Sequence, residues 1–367
     1  MVFLLRVLIL CISVAAAAEK WKVNYFYDQP ESSFELRGIQ FPSDQRGLVY
    51  GVITGAKEKE RPVMLITSNG GAKWSEVPLK ESPVALSCID DSQCWLATEK
   101  GIWKTEESGR DWKKLKKQEG IAAIHFSTSK IGFAAGYPKA VWKTTDGGLT
   151  WTSVPAAAKV EASSQTTAFD VIAQNGKDMM IIGLSRPRRM DGSLYPDWME
   201  PERAASRREW PALTVMLDSR DAGANWNASS ASLFGHIVDV KMGEGRGISL
   251  IVHEQAFQYP SEVLKIDFKS GKNTPIHFEK DKLITSILLA KDNNIVVGGI
   301  EVLGSFRANP TPSKVYIQQG QLTDTNSVIW RRMPVDYKAV ARRVTLAATP
   351  SGKLWAVTDT GMILEWK

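Results

Sequence analysis

An eight-residue phrase recurs four times in this chain and limits its fold more than any other feature. It reads Thr67-Ser68-Asn69-Gly70-Gly71-Ala72-Lys73-Trp74, then Thr105-Glu106-Glu107-Ser108-Gly109-Arg110-Asp111-Trp112. It returns as Thr144-Thr145-Asp146-Gly147-Gly148-Leu149-Thr150-Trp151 and as Ser219-Arg220-Asp221-Ala222-Gly223-Ala224-Asn225-Trp226. The frame is Ser/Thr-x-Asp-x-Gly-x-x-Trp, with Asn69 and Glu107 standing in for Asp. Successive Trp residues are 38 and 39 apart, and the last gap of 75 is close to two periods. Self-similarity at this period means one supersecondary unit copied many times.

Each phrase lies between two apolar runs and reads as a hairpin turn. An Asp side chain accepts hydrogen bonds from backbone N–H groups just ahead of it. The Gly two residues on takes positive φ without steric cost. The Ser/Thr hydroxyl ties the start of the turn, and the Trp packs between neighbouring sheets. In the third unit the strands read Ile121 to Ser127, Gly132 to Gly136, Ala140 to Thr144 and Thr150 to Val154. That is a four-stranded antiparallel unit of propeller-blade size.

The first two strands of such a unit are also legible where the phrase is missing. Innermost strands are expected to begin at Phe34, Val84, Ile121, Thr166, Ile237, Ile284 and Arg343. Their partners begin at Leu48, Cys94, Gly132, Met179, Ile248, Ile295 and Leu354, which makes seven blades. The last unit stops after its third strand, Met362 to Trp366, and Lys20 to Tyr25 is expected to supply the fourth. A blade completed by the N-terminal strand closes the ring and leaves no open edge there. Helix signals are nearly absent.

Other features bound the class. The 367 residues carry a net charge of +6, which favours anionic partners. With no nucleic-acid motif present, nucleic acid is not expected as a partner. Arg6, the apolar stretch Val7 to Ala18 and the small residues Ala15 to Ala18 read as a signal peptide cleaved near Ala18. The mature chain, 19–367, is expected to be secreted or periplasmic, a single propeller, and monomeric. No later segment is apolar enough to span a membrane. Cys88 and Cys94 flank a polar turn and are expected to form a disulfide in an oxidising compartment, worth about 2 kcal/mol by loop-closure entropy. Asn227-Ala228-Ser229 is a glycosylation acceptor sequence.

These residues resemble the Asp-box (BNR-repeat) propellers, a superfamily that includes sialidases, xyloglucan-type glucanases and photosystem II stability/assembly-factor-like propellers. Val141-Trp142-Lys143-Thr144, Ile102-Trp103-Lys104-Thr105 and the Ser87-Cys88…Cys94-Trp95 pattern look most like the assembly-factor group. Seven blades also suits that group. The resemblance implies an assembly or stability factor whose client, in that family, is a photosystem II precursor protein. It also implies that the boxes, at Asn69, Gly71, Trp74, Glu107, Gly109, Trp112, Asp146, Gly148, Trp151, Asp221, Gly223 and Trp226, lie opposite the usual site. Trp330 is read as the remnant of a box in the sixth unit.

Strand order sorts the loops. Turns from first to second strand share a face with the boxes and are short. Turns from second to third strand lie on the other face and are irregular: Lys57 to Arg61, the blade 4 insertion Ser185 to Trp210, Glu254 to Pro260 and Val302 to Pro312. Function concentrates on such loops. The candidate partner-binding residues are Arg37, Arg186, Arg188, Arg189, Trp198, Arg207, Arg208, Trp210, Arg307, Arg342 and Arg343, with Arg61 near the same rim. Arg and aromatic side chains together are typical of binding surfaces; the alternative for the insertion is a solvated loop whose Arg groups pair with Asp191, Asp197, Glu200, Glu202 and Glu209. The expected partner is a protein client or an anionic surface or glycan.

The competing reading is a glycoside hydrolase. A sialidase needs three Arg on a carboxylate and a Tyr nucleophile helped by Glu. Arg37-Gly38-Ile39-Gln40 lacks the Pro of the Arg-Ile-Pro signature, and Tyr337 has no clear Glu partner. A two-carboxylate enzyme could draw on Glu99, Glu254, Glu301 or Asp359. The four His show no metal spacing and no phosphate loop or nucleophile elbow occurs, so no catalytic residue, cofactor or metal is assigned.

Overall fold

In the computed structural model the described residues are 19–185, 212–253, 259–268, 270–290, 294–302, 312–322, 327–336 and 338–367. They form seven sheets, each built on four antiparallel strands. Blade 1 comprises Ser33–Gln40, Gly47–Thr54, Glu60–Thr67 and Ser75–Pro78. Blade 2 comprises Pro83–Cys88, Cys94–Thr98, Gly101–Thr105 and Lys113–Lys116. Blade 3 runs Ile121–Phe126, Gly132–Gly136, Ala140–Thr144 and Thr152–Ser153, and blade 4 Thr167–Asn175, Asp178–Ser185, Ala212–Ser219 and Asn227–Leu233. Blade 5 takes His236–Gly243, Arg246–Val252, Ser261–Asp267 and Asn273–Phe278; blade 6 takes Lys282–Leu289, Asn294–Glu301, Ser313–Leu322 and Val328–Arg332. Blade 7 has Val344–Ala348, Leu354–Thr358 and Met362–Trp366, and its fourth strand is the N-terminal Trp21–Phe26.

First strands touch first strands in sequence order around the molecule, and blade 7 touches blade 1. The fold is therefore a closed seven-bladed β-propeller, as its strand pattern predicts. The starts of the fourteen inner strands fall within two residues of the expected positions. Second strands are buried on both faces because each lies between two neighbouring blades. Cys94–Thr98, Gly132–Gly136 and Leu354–Thr358 are buried at every position. This is why they read as continuous apolar runs rather than as alternation.

Closure of the ring rests on Trp21. It is fully buried, pairs with Trp366, donates its N–H to Pro334 O at 2.8 Å and accepts from Asp336 N at 3.0 Å. Lys20 and Lys367 exchange both backbone bonds beside it.

Two features were not anticipated. A five-residue helix, Pro155–Lys159, packs Ala156 and Ala157 into the blade 3–blade 4 core. Six of the seven first strands also carry a bulge, whose extra residues are Arg37, Val84, Ala122, Asp170, Val238 and Thr285. A bulge re-aims a side chain out of the ladder, and three of these reach the first strand of the next blade. Arg37 Nη1 donates to Pro83 O, Asp170 meets His236 at 2.9 Å, and Thr285 Oγ1 donates to Val344 O at 2.8 Å.

Candidate functional site

The four phrases are turn devices. Thr67, Thr105, Thr144 and Ser219 each accept bonds from the N–H groups two and four residues on. Asp146 Oδ1 accepts from Thr150 N, Asp221 Oδ1 from Asn225 N, and Asn69 Oδ1 from Lys73 N. In blade 2, Glu107 contributes its main-chain carbonyl to Arg110 N. Bonds from Thr150 hold Asp146 down at about 2, and bonds from Asn225 do the same for Asp221. Each turn also donates one N–H to the first-to-second-strand turn of its own blade: Gly70 to Gln45 O, Ser108 to Ser92 O, Gly147 to Lys130 O and Ala222 to Lys177 O. The boxes and the short turns thus share a face, and the Ser/Thr hydroxyls and the Asn69, Asp146 and Asp221 side chains bond within their own turns.

Each box Trp packs on the preceding blade. Trp74 lies 6.1 Å from Trp355, and Trp226 lies 5.7 Å from Phe133. Trp112 joins Leu48, Met64 and Ile66, and Trp151 stands edge-on to Phe126 beside Trp95. Trp330 does not belong to this series. It lies inside its fourth strand, two residues past the start, and donates Nε1 to Ile276 O of blade 5. Cys88 and Cys94 are direct register partners joined as a disulfide, with Cα atoms 4.0 Å apart.

On the opposite face the fold brings three of the candidate arginines together where blade 7 meets blade 1. Arg37 projects from the first-strand bulge of blade 1, and Arg342 and Arg343 precede the first strand of blade 7. Glu35 bridges Arg37 and Arg343 at 3.3 Å each. Asp359, in the second-to-third-strand turn of blade 7, accepts from Arg342 N, Arg343 N and Arg342 Nε. The guanidinium groups stay accessible: the side chains of Arg37, Arg342 and Arg343 are 26%, 51% and 44% exposed. Three cations against two carboxylates leave this cluster net positive.

Tyr50 supports this cluster from below. Gly38 is its register partner, and the phenol ring occupies the space a side chain there would fill. Tyr50 OH donates to Val84 O at 3.3 Å, linking blade 1 to blade 2. Burial pushes the phenol up to about 12, against the pull of Arg343 and Arg37. The signal in the sequence was a Gly opposite a Tyr, visible only once the register is known.

Two further polar clusters lie on this face. Between blades 1 and 2, Glu81 accepts from Lys114, Thr98 and Trp103 at 2.6 to 2.8 Å. Burial raises the Glu81 carboxyl, but these three donors outweigh it and hold it below its usual value. A crevice beside it is walled by Trp103 and Trp112, with Lys80 and Arg110 among its lining. Between blades 5 and 6, Tyr316 OH donates to Glu279 at 2.8 Å and His277 meets Gln318 at 3.1 Å. Burial and then Glu279 raise the Tyr316 phenol, so it is held protonated rather than activated as a nucleophile. Burial also lowers His277, against Glu279 and Gln318.

Large apolar side chains stand exposed around the same face. Phe26 ends the fourth strand of blade 7, Tyr137 lies in a blade 3 turn, and Phe278 packs edge-on to Tyr259 in blade 5. Of the carboxylates considered for acid–base work, two are engaged, and Glu99 is exposed after the second strand of blade 2. Asp359 is clamped as above, and Glu301 pairs with Arg332 at 2.8 Å. Arg246 begins the second strand of blade 5 on the box face, and Arg61 pairs with Glu76. Arg186, Arg188, Arg189, Trp198, Arg207, Arg208, Trp210, Arg307, Tyr337 and Glu254 lie outside the described residues. No group of three His, Cys, Asp or Glu able to hold a metal occurs among the described residues. No helix among them is long and apolar enough to cross a membrane.

Fold and site together define a seven-bladed propeller with an arginine cluster at the blade 7–blade 1 junction, on the face away from its boxes. Among solved structures it is similar to YCF48 bound to a D1 peptide, at TM-score 0.60 and 12% identity, covering 96% of this chain and 98% of that one. It is similar to YCF48 from Cyanidioschyzon merolae at TM-score 0.59 and 11% identity, covering 95% and 98%. The extracellular domain of a putative one-component system from B. thetaiotaomicron matches at TM-score 0.57 and 10% identity, covering 94% of this chain and 40% of that one. No family model and no curated sequence matches the chain.

Proposed function

We propose that this chain is a non-catalytic propeller that holds an acidic segment of a protein client on its irregular face. The observation that carries the reading is the gathering of Arg37, Arg342 and Arg343 around Glu35 and Asp359. An incoming carboxylate replaces Glu35 between two guanidiniums and gains a paired contact of the charge-assisted kind. Phe26, Tyr137 and Phe278 supply apolar anchors farther out on the same face. The loop arginines Arg186, Arg188, Arg189, Arg207, Arg208 and Arg307 offer further carboxylate partners in the sequence, interleaved with Asp191, Asp197, Glu200, Glu202 and Glu209.

The full-length likeness to YCF48, whose structure is titled with a bound D1 peptide, supports an assembly- or stability-factor role. The recurring box supports placement among the Asp-box propellers. Residues 1–18 act as a signal peptide in this reading, the mature chain 19–367 works outside the cytoplasm, and Cys88–Cys94 closes there.

The test is binding of a fluorescent acidic peptide, beginning with the D1 peptide, by anisotropy. Arg37→Glu with Arg343→Glu should weaken binding at least tenfold and leave the melting temperature within a few degrees. Arg186→Glu, Arg188→Glu and Arg189→Glu together should weaken it further. Equal binding by all variants, or turnover of a sialoside or β-glucan by the purified protein, overturns the reading.

A further inference from the structure

The fourth strand of blade 5, Asn273–Phe278, has an interrupted ladder to its own third strand. Pro275 offers no N–H, and the register shifts between Val263 and Leu264. Three polar contacts tie this strand and its end to blade 6. Trp330 Nε1 donates to Ile276 O at 2.8 Å, and Tyr316 OH donates to Glu279 at 2.8 Å. His277 Nε2 lies 3.1 Å from Gln318 Oε1.

His277 stands at the centre of this junction with its side chain only 3% exposed. Its ring is edge-on to Trp330 at 4.9 Å and lies 6.4 Å from the ring of Tyr316. Both atoms within reach of Nε2 are acceptors: Gln318 Oε1 and, at 3.3 Å, Glu279 Oε1. Nε2 therefore carries the proton and Nδ1 is bare. Nδ1 is buried and has no hydrogen-bond partner. A second proton has to enter there, as a donor with nothing to accept it.

The charges around the ring are few. Glu279 faces it and favours the second proton. Lys282 and Arg332 stand over the Tyr316 ring at 5.1 and 5.7 Å and pair with Asp281 and Glu301. On the third strand of blade 5, Val263 lies opposite His277 and Glu262 opposite Phe278. Burial outweighs Glu279 and Gln318, so the ring takes up its second proton less readily than an exposed histidine.

We propose that His277 makes the outer strand of blade 5 an acid-released latch, which lets go of blade 6 when the ring takes its second proton. An open strand carries Nδ1–H out to water. The folded ring binds its proton below the ordinary value of 6.5, so the unfolded segment binds more protons in mild acid. The latch is therefore complete above about 6.5 and is lost as pH falls below it. The same strand bears Phe278, 46% exposed and edge-on to Tyr259, so mild acid frees an apolar pair on the irregular face. This device is separate from the arginine cluster and does not depend on what binds there.

Hydrogen exchange of the full chain from about pH 7.5 to about pH 5, corrected for the intrinsic effect of pH on exchange, tests it. Protection of residues 273–278 should fall at least tenfold, while that of the inner strand Arg246–Val252 holds. His277→Gln, whose amide stands in for Nε2 but takes no proton, should keep residues 273–278 equally protected across the range. His125→Gln should behave like the wild type, although His125 also meets a Gln, Gln174, at 2.9 Å. The Cε1–H resonance of His277 in the wild type should titrate below 6.5, a readout that needs no variant. Flat protection in the wild type, an equal fall in His277→Gln, loss of the fall in His125→Gln, or titration of His277 at or above 6.5 overturns the proposal.

Discussion

Gly71 of blade 1 lies so close to Trp355 of blade 7 that a Cβ built on it would sit 2.1 Å from the indole ring. The other box glycines repeat the relationship against the preceding blade: Gly109 meets Leu48 at 2.8 Å, Gly148 meets Leu115 at 3.1 Å, and Gly223 meets Phe133 at 2.4 Å. The glycine is therefore required twice, by positive φ and by the neighbouring blade. Gly71→Ala should cost about 3 kcal/mol, combining overpacking with the left-handed backbone penalty. Gly176→Ala also has positive φ but meets nothing within 4 Å, so about 1 kcal/mol is expected. Equal losses in chemical denaturation would show that packing against the preceding blade contributes nothing.

Trp21 belongs to a strand far in sequence from its sheet and is fully buried there. Trp21→Ala should cost about 3–5 kcal/mol, the range for a large core aromatic. Removal of residues 1–26 should do more, because it also bares the edge of Met362–Trp366. A truncated chain that melts like the full one would refute closure by the N-terminal strand.

Asp146 and Asp221 sit at about 2 in the folded chain, so folded protein holds fewer protons than unfolded protein in mild acid. Their contribution is complete above about 3.8, the ordinary Asp value, and is lost as pH falls toward 2. Melting temperature should therefore drop across that window. Asp146→Asn with Asp221→Asn should flatten the slope there while folding normally at neutral pH, since Asn69 already does the same work in blade 1. An unchanged acid slope would count against these carboxylates.

Tyr50 titrates the other way. Its folded value of about 12 exceeds the ordinary 10, so its contribution is present below pH 10 and is lost as pH rises toward 12. Tyr50→Phe should remove that alkaline loss and cost about 1 kcal/mol at neutral pH from the bond to Val84 O. Absorbance of tyrosinate through an alkaline titration checks the raised value, and denaturant unfolding at neutral pH checks the cost.

Much of this was legible early because a propeller repeats its local rules. The boxes announce themselves as Ser/Thr, Asp and Gly at fixed spacing, and each side chain bonds within the same turn. Trp330 was misread because a Trp near a third-to-fourth turn has the right residue type but not the right register. The grouping of Arg37 with Arg343 was legible only as a shared rim. Their common partner Glu35, the clamp by Asp359 and the support from Tyr50 depend on contacts 308, 16 and 34 positions apart.

The sequence by itself determined the blade count, the strand starts, the split last blade and the face that carries the boxes. These follow from hydrophobic period and turn chemistry, which act over a few residues. Only the tertiary structure decided which arginines meet and which carboxylates pair with them. Those depend on first-strand bulges and on ring closure, where the last blade brings its arginines to the first.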